Sequence, residues 1–201
     1  QDEATRNKSF DRILSAAQRA AKITTGMLAY ARNTTNRIEP NDLKRMLEDV
    51  LVLVQKDLQM HRIGVDLVAP ESVWAMANSS QIQQLLMNLI VNARQAMKEN
   101  GRLRLVVRDN KAEGWAEIVV SDSGCGIPQD KLPFIFESFY TTKAPDERGQ
   151  GGTGLGLATV YGIIQQHNGW ITVTSEPGKG STFHIHLPRS HGVTPATATP
   201  A

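Results

Sequence analysis

Three short segments of unlike chemistry stand in fixed order along the chain: Asn88-Leu-Ile-Val-Asn92-Ala-Arg-Gln-Ala96, Asp122-Ser-Gly-Cys-Gly126 and Gly152-Thr-Gly-Leu-Gly156-Leu157. About thirty residues separate the start of one from the start of the next. The first sits inside an apolar helical pattern, the second follows a strand pattern and the third opens a further helical pattern. Any one of them is a weak signal, because glycine doublets are common and asparagines often cap helices. Three ordered elements of different chemistry seldom coincide by chance.

The pattern around these segments divides the chain. From Ala4 to about Asn33, Phe10, Leu14, Ala17, Ala21, Thr24, Leu28 and Ala31 are spaced 4, 3, 4, 3, 4, 3, a heptad seam on one helix about 45 Å long at 1.5 Å per residue. Such a stripe is buried against another helix, another subunit or its own domain. The even spacing of small residues favours the bundle, and residues 5–33 are read as a homodimer seam. Asn33-Thr-Thr-Asn36 ends the helix with turn-forming residues.

From Ile38 the signature is that of a mixed domain. Asn41 or Asp42 caps a helix of about 18 residues carrying Leu43, Met46, Leu47, Val50, Leu51 and Val54. Strands are expected at Ile63–Val68 and Val73–Met76, then a helix from Ser79 through Met97. Neighbouring strands follow at Leu103–Arg108 and Trp115–Ser121, a third helix over Leu155–His167, and a hairpin from Trp170–Ser175 and Ser181–Leu187. Strands and helices then segregate into an α/β sandwich. After Pro188 the Thr/Pro/Ala-rich tail lacks any apolar period and is expected to be disordered.

Composition narrows the classes. Twenty-two basic and 20 acidic residues leave a net charge of +2 with no long basic run, so no nucleic acid and no anionic membrane is called for. A single cysteine, Cys125, excludes an internal disulfide and a cysteine zinc cluster and suits a reducing cytosol. The apolar stretches are far too short to span a bilayer. A cytoplasmic fragment without direct membrane contact is expected, its parent free to be anchored by a segment before Gln1.

The chemistry follows from residue type. Asn88 and Asn92 are four apart and share one helix face, where two neutral carboxamide oxygens can meet the same ion or phosphate. Magnesium prefers hard oxygens and keeps waters while bridging substrate phosphates, so Asn92 alone can serve as its protein ligand. Asp122 stands at a strand end before a side-chain-free backbone. A buried carboxylate there accepts from the exocyclic amine of adenine and rejects guanine, which presents an acceptor instead. Gly149, Gly151, Gly152, Gly154 and Gly156 crowd the start of the third helix, whose exposed N–H groups and dipole can cradle phosphates. Two rival phosphate motifs fail. Gly149-Gln-Gly-Gly-Thr-Gly154 fits a dinucleotide fingerprint but follows a polar loop rather than a strand, and Gly178-Lys-Gly-Ser lacks the spacing of a Walker loop. His184 and His186 face one side of a strand without an apparent third ligand, and His61 and His167 stand alone, so the histidines are read as structural or surface residues.

The set resembles the ATP-binding catalytic domain of bacterial sensor histidine kinases. That domain is a branch of the ATPase superfamily shared with type II topoisomerases, ninety-kilodalton chaperones and mismatch-repair ATPases. The resemblance runs from about Ile38 to Pro188 and is weaker before that. It implies an α/β fold, a two-layer sandwich of a mixed sheet and helices, preceded by one long dimerisation helix. Residues 1–36 would be the second helix of a phosphotransfer hairpin, 37–189 the ATP-binding domain and 190–201 a tail or linker. ATP and Mg2+ are the implied cofactors, Asn92 holding the ion and Asn88 lying close to the phosphates. Asp122 takes the adenine contact, with Gly124 and Gly126 admitting the base and Ile127 beside them. Phe136 and Phe139 anchor the start of a nucleotide lid over Thr141–Gly152, expected to be mobile and ordered by the γ-phosphate. Thr142, Lys143, Gly152, Thr153, Gly154, Leu155, Gly156 and Leu157 complete the nucleotide contacts. Lys143 would reach the terminal phosphate, although a solvated surface lysine reads almost as well.

Two function classes fit such a pocket, a hydrolytic ATPase driving a conformational clamp and a phosphoryl-transfer kinase; a regulatory ATP-binding module is a third. Hydrolytic members of the superfamily carry glutamate where Asn88 stands, a base able to activate water. Asn88 has no such capacity, so the γ-phosphate awaits a nucleophile from elsewhere, and Asn88, Asn92 and Lys143 form the implied catalytic group. The implied acceptor is a histidine, with relay to the receiver domain of a response regulator. Two departures from the family pattern remain. No histidine precedes His61, so either the chain is cut between the hairpin helices or the acceptor belongs to another protein. Gln95 stands where many relatives have a lysine, with Arg94 and Lys143 as its substitutes at the phosphates.

Overall fold

The computed structural model describes residues 37–69, 71–142 and 152–191. The heptad helix, Lys143, Gly149, Gly151, most of the expected lid and the tail beyond His191 lie outside them.

Helix α1, Leu43–Met60, is capped by Asp42, whose carboxylate accepts from the Lys44 N–H at 3.0 Å. It buries Leu43, Met46, Leu47, Val50, Val54 and Leu58, one stripe at helical spacing. Asn78 caps α2, Ser79–Met97, by accepting from the Gln81 N–H at 3.1 Å. Helix α3 is shorter, Gly156–Gln166.

Five strands form the main sheet in the order β2-β4-β5-β7-β6, where β2 is Gly64–Val68, β4 Arg102–Asn110, β5 Trp115–Asp122, β6 Trp170–Glu176 and β7 Gly180–Pro188. Only β2 and β4 run parallel; the other neighbours are antiparallel. The helices cover one face. Leu103, Leu105, Val107, Ala116, Ile118, Val120, Phe183, Ile185 and Leu187 alternate inward along the strands to meet the helices in one core, as the two-residue period of a half-buried strand requires.

Two elements depart from the expected pattern. Glu39–Asp42 is a strand, β1, paired antiparallel with β3, Trp74–Ala77. Its Glu-Pro-Asn-Asp sequence has no apolar alternation to announce it. Backbone pairing holds it, with the Asn41 side-chain amide donating to the Ala77 carbonyl at 2.8 Å. Gln129–Phe134 is a 3-10 segment, after which Ile135 enters the core at 6% exposure. No helix among the described residues is long and apolar enough to cross a membrane.

Candidate nucleotide site

The site is organised by one row of side chains on α2. Asn88, Asn92 and Ala96 recur at every fourth residue and so point from the same face. Both asparagines are half-buried. Ala96 reaches the second motif: its carbonyl accepts from the Cys125 N–H at 3.2 Å, and its Cβ lies 2.7 Å from where a Gly124 side chain would begin. A residue larger than glycine at 124 would separate the loop from the helix.

Asp122 ends β5, paired with Leu103 on β4 and Ser181 on β7. Its Oδ1 accepts from the Gly124 N–H at 2.8 Å. Burial pushes the carboxyl pKa above its ordinary value, and the backbone hydrogen bonds from Gly124 and Ser181 only partly offset this. The result is a half-buried acceptor at a strand end, held in one orientation. Behind it the loop is fastened to the β6–β7 hairpin. The Ile127 N–H donates to Ser175 Oγ at 2.7 Å and the Gly178 N–H to the Cys125 carbonyl at 2.8 Å. Gly126 has φ +68°, and a Cβ there would run into the Glu176 carbonyl, so this position requires glycine for packing as well as for conformation. Sequence suggested that Gly124 and Gly126 leave room for a base; the structure adds that they let the loop approach its own chain.

The third motif meets the same helix row from the other side. Helix α3 begins at Gly156 with no side-chain cap at Leu155, so its first N–H groups face outward from the helix start. A Cβ at Gly156 would stand 3.5 Å from Asn92 Nδ2, which places the opening turn of α3 directly against the second asparagine. Gly152, Thr153, Leu155 and Leu157 are half-buried around it, and Thr153 Oγ1 lies 3.4 Å from the Leu155 nitrogen. The Phe139 N–H donates to the Gly154 carbonyl at 2.9 Å, joining the two flanks of residues 143–151. Both residues have positive φ, +70° at Phe139 and +67° at Gly154.

The two phenylalanines differ. Phe136 packs on the core with its ring centroid 5.6 Å from that of Tyr161, whereas Phe139 is 63% exposed. Thr142 is exposed. Arg94, which sequence points toward the phosphates, has its Nε 2.9 Å from Asp57 Oδ2 on α1. The α2 row thus brings together the Asp122–Ile127 loop, through Ala96, and the Gly152–Leu157 turn, through Asn92, with Asn88 one turn along the same face. A separate cleft at the β2–β4 edge, between Val68, Glu71, Arg104 and Arg108, contains none of them.

The histidines have other duties. His184 Nδ1 lies 2.7 Å from Glu117 Oε1 and the His186 ring stacks on Trp170 at 4.3 Å, both on the strand face away from the core. His61 pairs with Asp57, and His167 is buried between α2 and α3. Among the described residues, no three His, Cys, Asp or Glu side chains cluster to hold a metal ion.

A strand-end carboxylate, a carboxamide row and an uncapped glycine-rich helix start thus lie along one helix. Residues 77–191, more than half of the chain, match the family described as histidine kinase-, DNA gyrase B- and HSP90-like ATPase. The chain belongs to that family. Within it the similarity is to sensor histidine kinases. The chain is 41% identical over 191 residues to the sensor kinase CckA of Brucella abortus, covering 88% of this chain and 20% of that one. It is 35% identical over 173 residues to the sensor histidine kinase ZraS of Escherichia coli, covering 86% and 36%. It thus spans roughly a fifth to a third of these relatives' length. The fold superposes on the catalytic domain of histidine kinase ThkA with a TM-score of 0.67 and 28% identity, over 76% of this chain and 96% of that one. The mycobacterial sensor histidine kinase MprB gives 0.65 and 26%, over 76% and 97%. The chain therefore carries the ATP-binding catalytic domain of this kinase type.

Proposed function

We propose that this domain binds Mg·ATP and transfers its γ-phosphate to a histidine outside the domain, for relay to the receiver domain of a response regulator. The observation that carries the reading is the α2 row. Asn92 sits between the Asp122 loop and the start of α3, and Asn88 on the same face is a carboxamide with no capacity to take a proton from water. Asp122 accepts from the adenine amine, and the Ile127 backbone and Gly124 border the base. The Gly152–Leu157 turn, with Thr142 and Lys143 from the preceding flank, receives the phosphates. Asn92 offers a hard oxygen that fits a magnesium ion sharing its shell with nucleotide oxygens; the ion supplies charge neutralisation when bound. Residues 1–36, proposed as a helix of a dimerisation hairpin, bring the acceptor within reach, and 190–201 serve as a tail or linker.

The test is incubation with γ-labelled ATP, with and without a fragment carrying a histidine-bearing hairpin helix. Label should appear on the fragment alone, labile to acid and stable to alkali as a phosphoramidate is. Asn92→Ala should abolish it. Rapid release of phosphate to water without the fragment would favour the hydrolytic clamp instead.

A further inference from the structure

Asn78, Gln81, His167 and Ser181 are the buried polar side chains among the described residues, and the first three meet in one place, far from Asp122 and Asn92. His167, 1% exposed, follows the last residue of α3, and Asn78 is the cap of α2. The Asn78 N–H donates to His167 Nε2 at 2.9 Å, and His167 Nδ1 lies 2.7 Å from the Ile163 carbonyl. A backbone N–H can only donate and a carbonyl can only accept, so the two partners fix the tautomer: the proton is on Nδ1 and the lone pair on Nε2. One ring thereby satisfies a donor at the start of α2 that has no partner within its helix, while its own proton goes to the Ile163 carbonyl, which also accepts from the His167 N–H at 3.2 Å. Beside it Gln81 Nε2 donates to Gln166 Oε1 at 2.7 Å. Burial holds the imidazole pKa below its ordinary value, against the raising pull of the Ile163 carbonyl, which keeps the ring in the form these two bonds need.

The two helices joined here run antiparallel, because the cap of α2 meets the end of α3 while Asn92 meets Gly156. From the junction, Asn92 lies about 21 Å along α2 and Gly156 about 16 Å along α3 at 1.5 Å per residue. Between them α3 rests on the buried side chains Val160, Ile163 and Ile164, contacts that resist separation but permit sliding. At the far end the two helices are joined directionally, through the His167 ring. We infer that His167 is a positioning residue for the phosphate side of the site, its ring setting where the first turn of α3 stands against Asn92. This rests on the reading above that the phosphates bind at that turn.

The adenine side gives the experiment its discrimination. Asp122 and its loop are held by β5, β7 and Ala96 and do not depend on α3, so a shift of α3 should weaken contacts to phosphates and spare contacts to the base. Affinities of the full chain for Mg·ATP and for adenosine would be measured by displacement of a fluorescent ATP analogue, alongside thermal unfolding. His167→Phe keeps a ring but removes the acceptor, and His167→Asn carries an amide too short to reach Asn78. Each should weaken Mg·ATP roughly tenfold and adenosine less than twofold, since an angstrom of misplacement acts on oriented contacts. His167→Gln, which can still accept at a similar reach, should recover most of the loss. Val160→Ala, which opens a cavity in the same helix interface, should lower the melting temperature without changing the ratio of the two affinities. Equal weakening of both ligands by the His167 variants, no weakening, or the same selective loss from Val160→Ala would overturn the inference. A wild-type chain that binds ATP no better than adenosine would instead overturn the phosphate assignment, and the inference with it.

Discussion

At the Asp122 end of the site the chain touches itself at every step: Gly124 on Ala96, Gly126 on the Glu176 carbonyl, Ile127 on Ser175, Gly178 on Cys125. At the α3 end, among the described residues, the helix start has no side-chain cap, a side chain at Gly156 would begin 3.5 Å from Asn92 Nδ2, and the Phe139 N–H donates to the Gly154 carbonyl. A flat heterocycle of fixed shape is best met by a rigid acceptor, because a misplaced buried hydrogen bond loses more than it contributes. A phosphate chain is met by N–H groups and a helix dipole, which act within the first turn and so depend on where that turn is held. The same domain therefore joins an end fixed by its own loop contacts to an end fixed by the placement of a helix, through one helix row.

The largest expected effect tests the stiffness. Gly126→Ala places a Cβ against the Glu176 carbonyl at positive φ and should cost on the order of 3 kcal/mol of stability, combining backbone strain with overpacking. Gly114 has φ +77° and nothing within 4 Å of its Cβ position, so Gly114→Ala should cost only about 1 kcal/mol from strain. Denaturant unfolding of both variants makes the comparison. Equal losses would mean that close packing is not what holds the loop.

Asp122→Asn separates recognition from stability. Because burial raises the folded pKa above the ordinary value of 3.8, the folded chain binds its proton at higher pH than the unfolded chain. The charged form then costs stability, a cost that grows as pH rises through the folded pKa and vanishes below the unfolded one. Asparagine still accepts from Gly124 and carries no charge. The variant should melt at the same or a higher temperature at pH 7 while losing about 1–3 kcal/mol of ATP affinity, as expected for a mismatched buried partner. Calorimetry against ATP and GTP, with wild type preferring ATP, checks it. Unchanged ATP affinity would remove Asp122 from the base contact.

Glu117 belongs to neither end and sets the scale of ordinary surface electrostatics. Burial pushes its pKa up, but the hydrogen bond from His184 and the charges of Arg108, His184 and His186 outweigh it and hold the carboxyl below 4.5. Its stabilisation is present above that value and is lost as pH falls through the depressed one. Glu117→Gln should cost about 0.5–1 kcal/mol at pH 7 and leave ATP binding unaltered. A change in ATP affinity from this outer face would show that the two ends are not as self-contained as their contacts suggest.

Residue type and spacing already determined the chemistry of this domain. Four-residue spacing on a helix, a carboxylate after a strand and glycines before a helix specify a carboxamide face, an acceptor and exposed N–H groups wherever the chain goes, because these follow from local geometry. The core strands were legible for the same reason, their apolar residues alternating as a half-buried sheet demands. Tertiary structure alone decided the rest. Arg94 pairs with Asp57 on α1, since a long side chain goes to whichever charge the fold brings near. Strand β1 formed from Glu-Pro-Asn-Asp because β3 offered it a backbone partner. His167, an isolated histidine in sequence, became the junction of two helices because folding brings Asn78 to it from 89 residues away. Local periodicity carries no information about such a meeting, since hydrogen bonds between distant backbone groups exist only once the elements have packed.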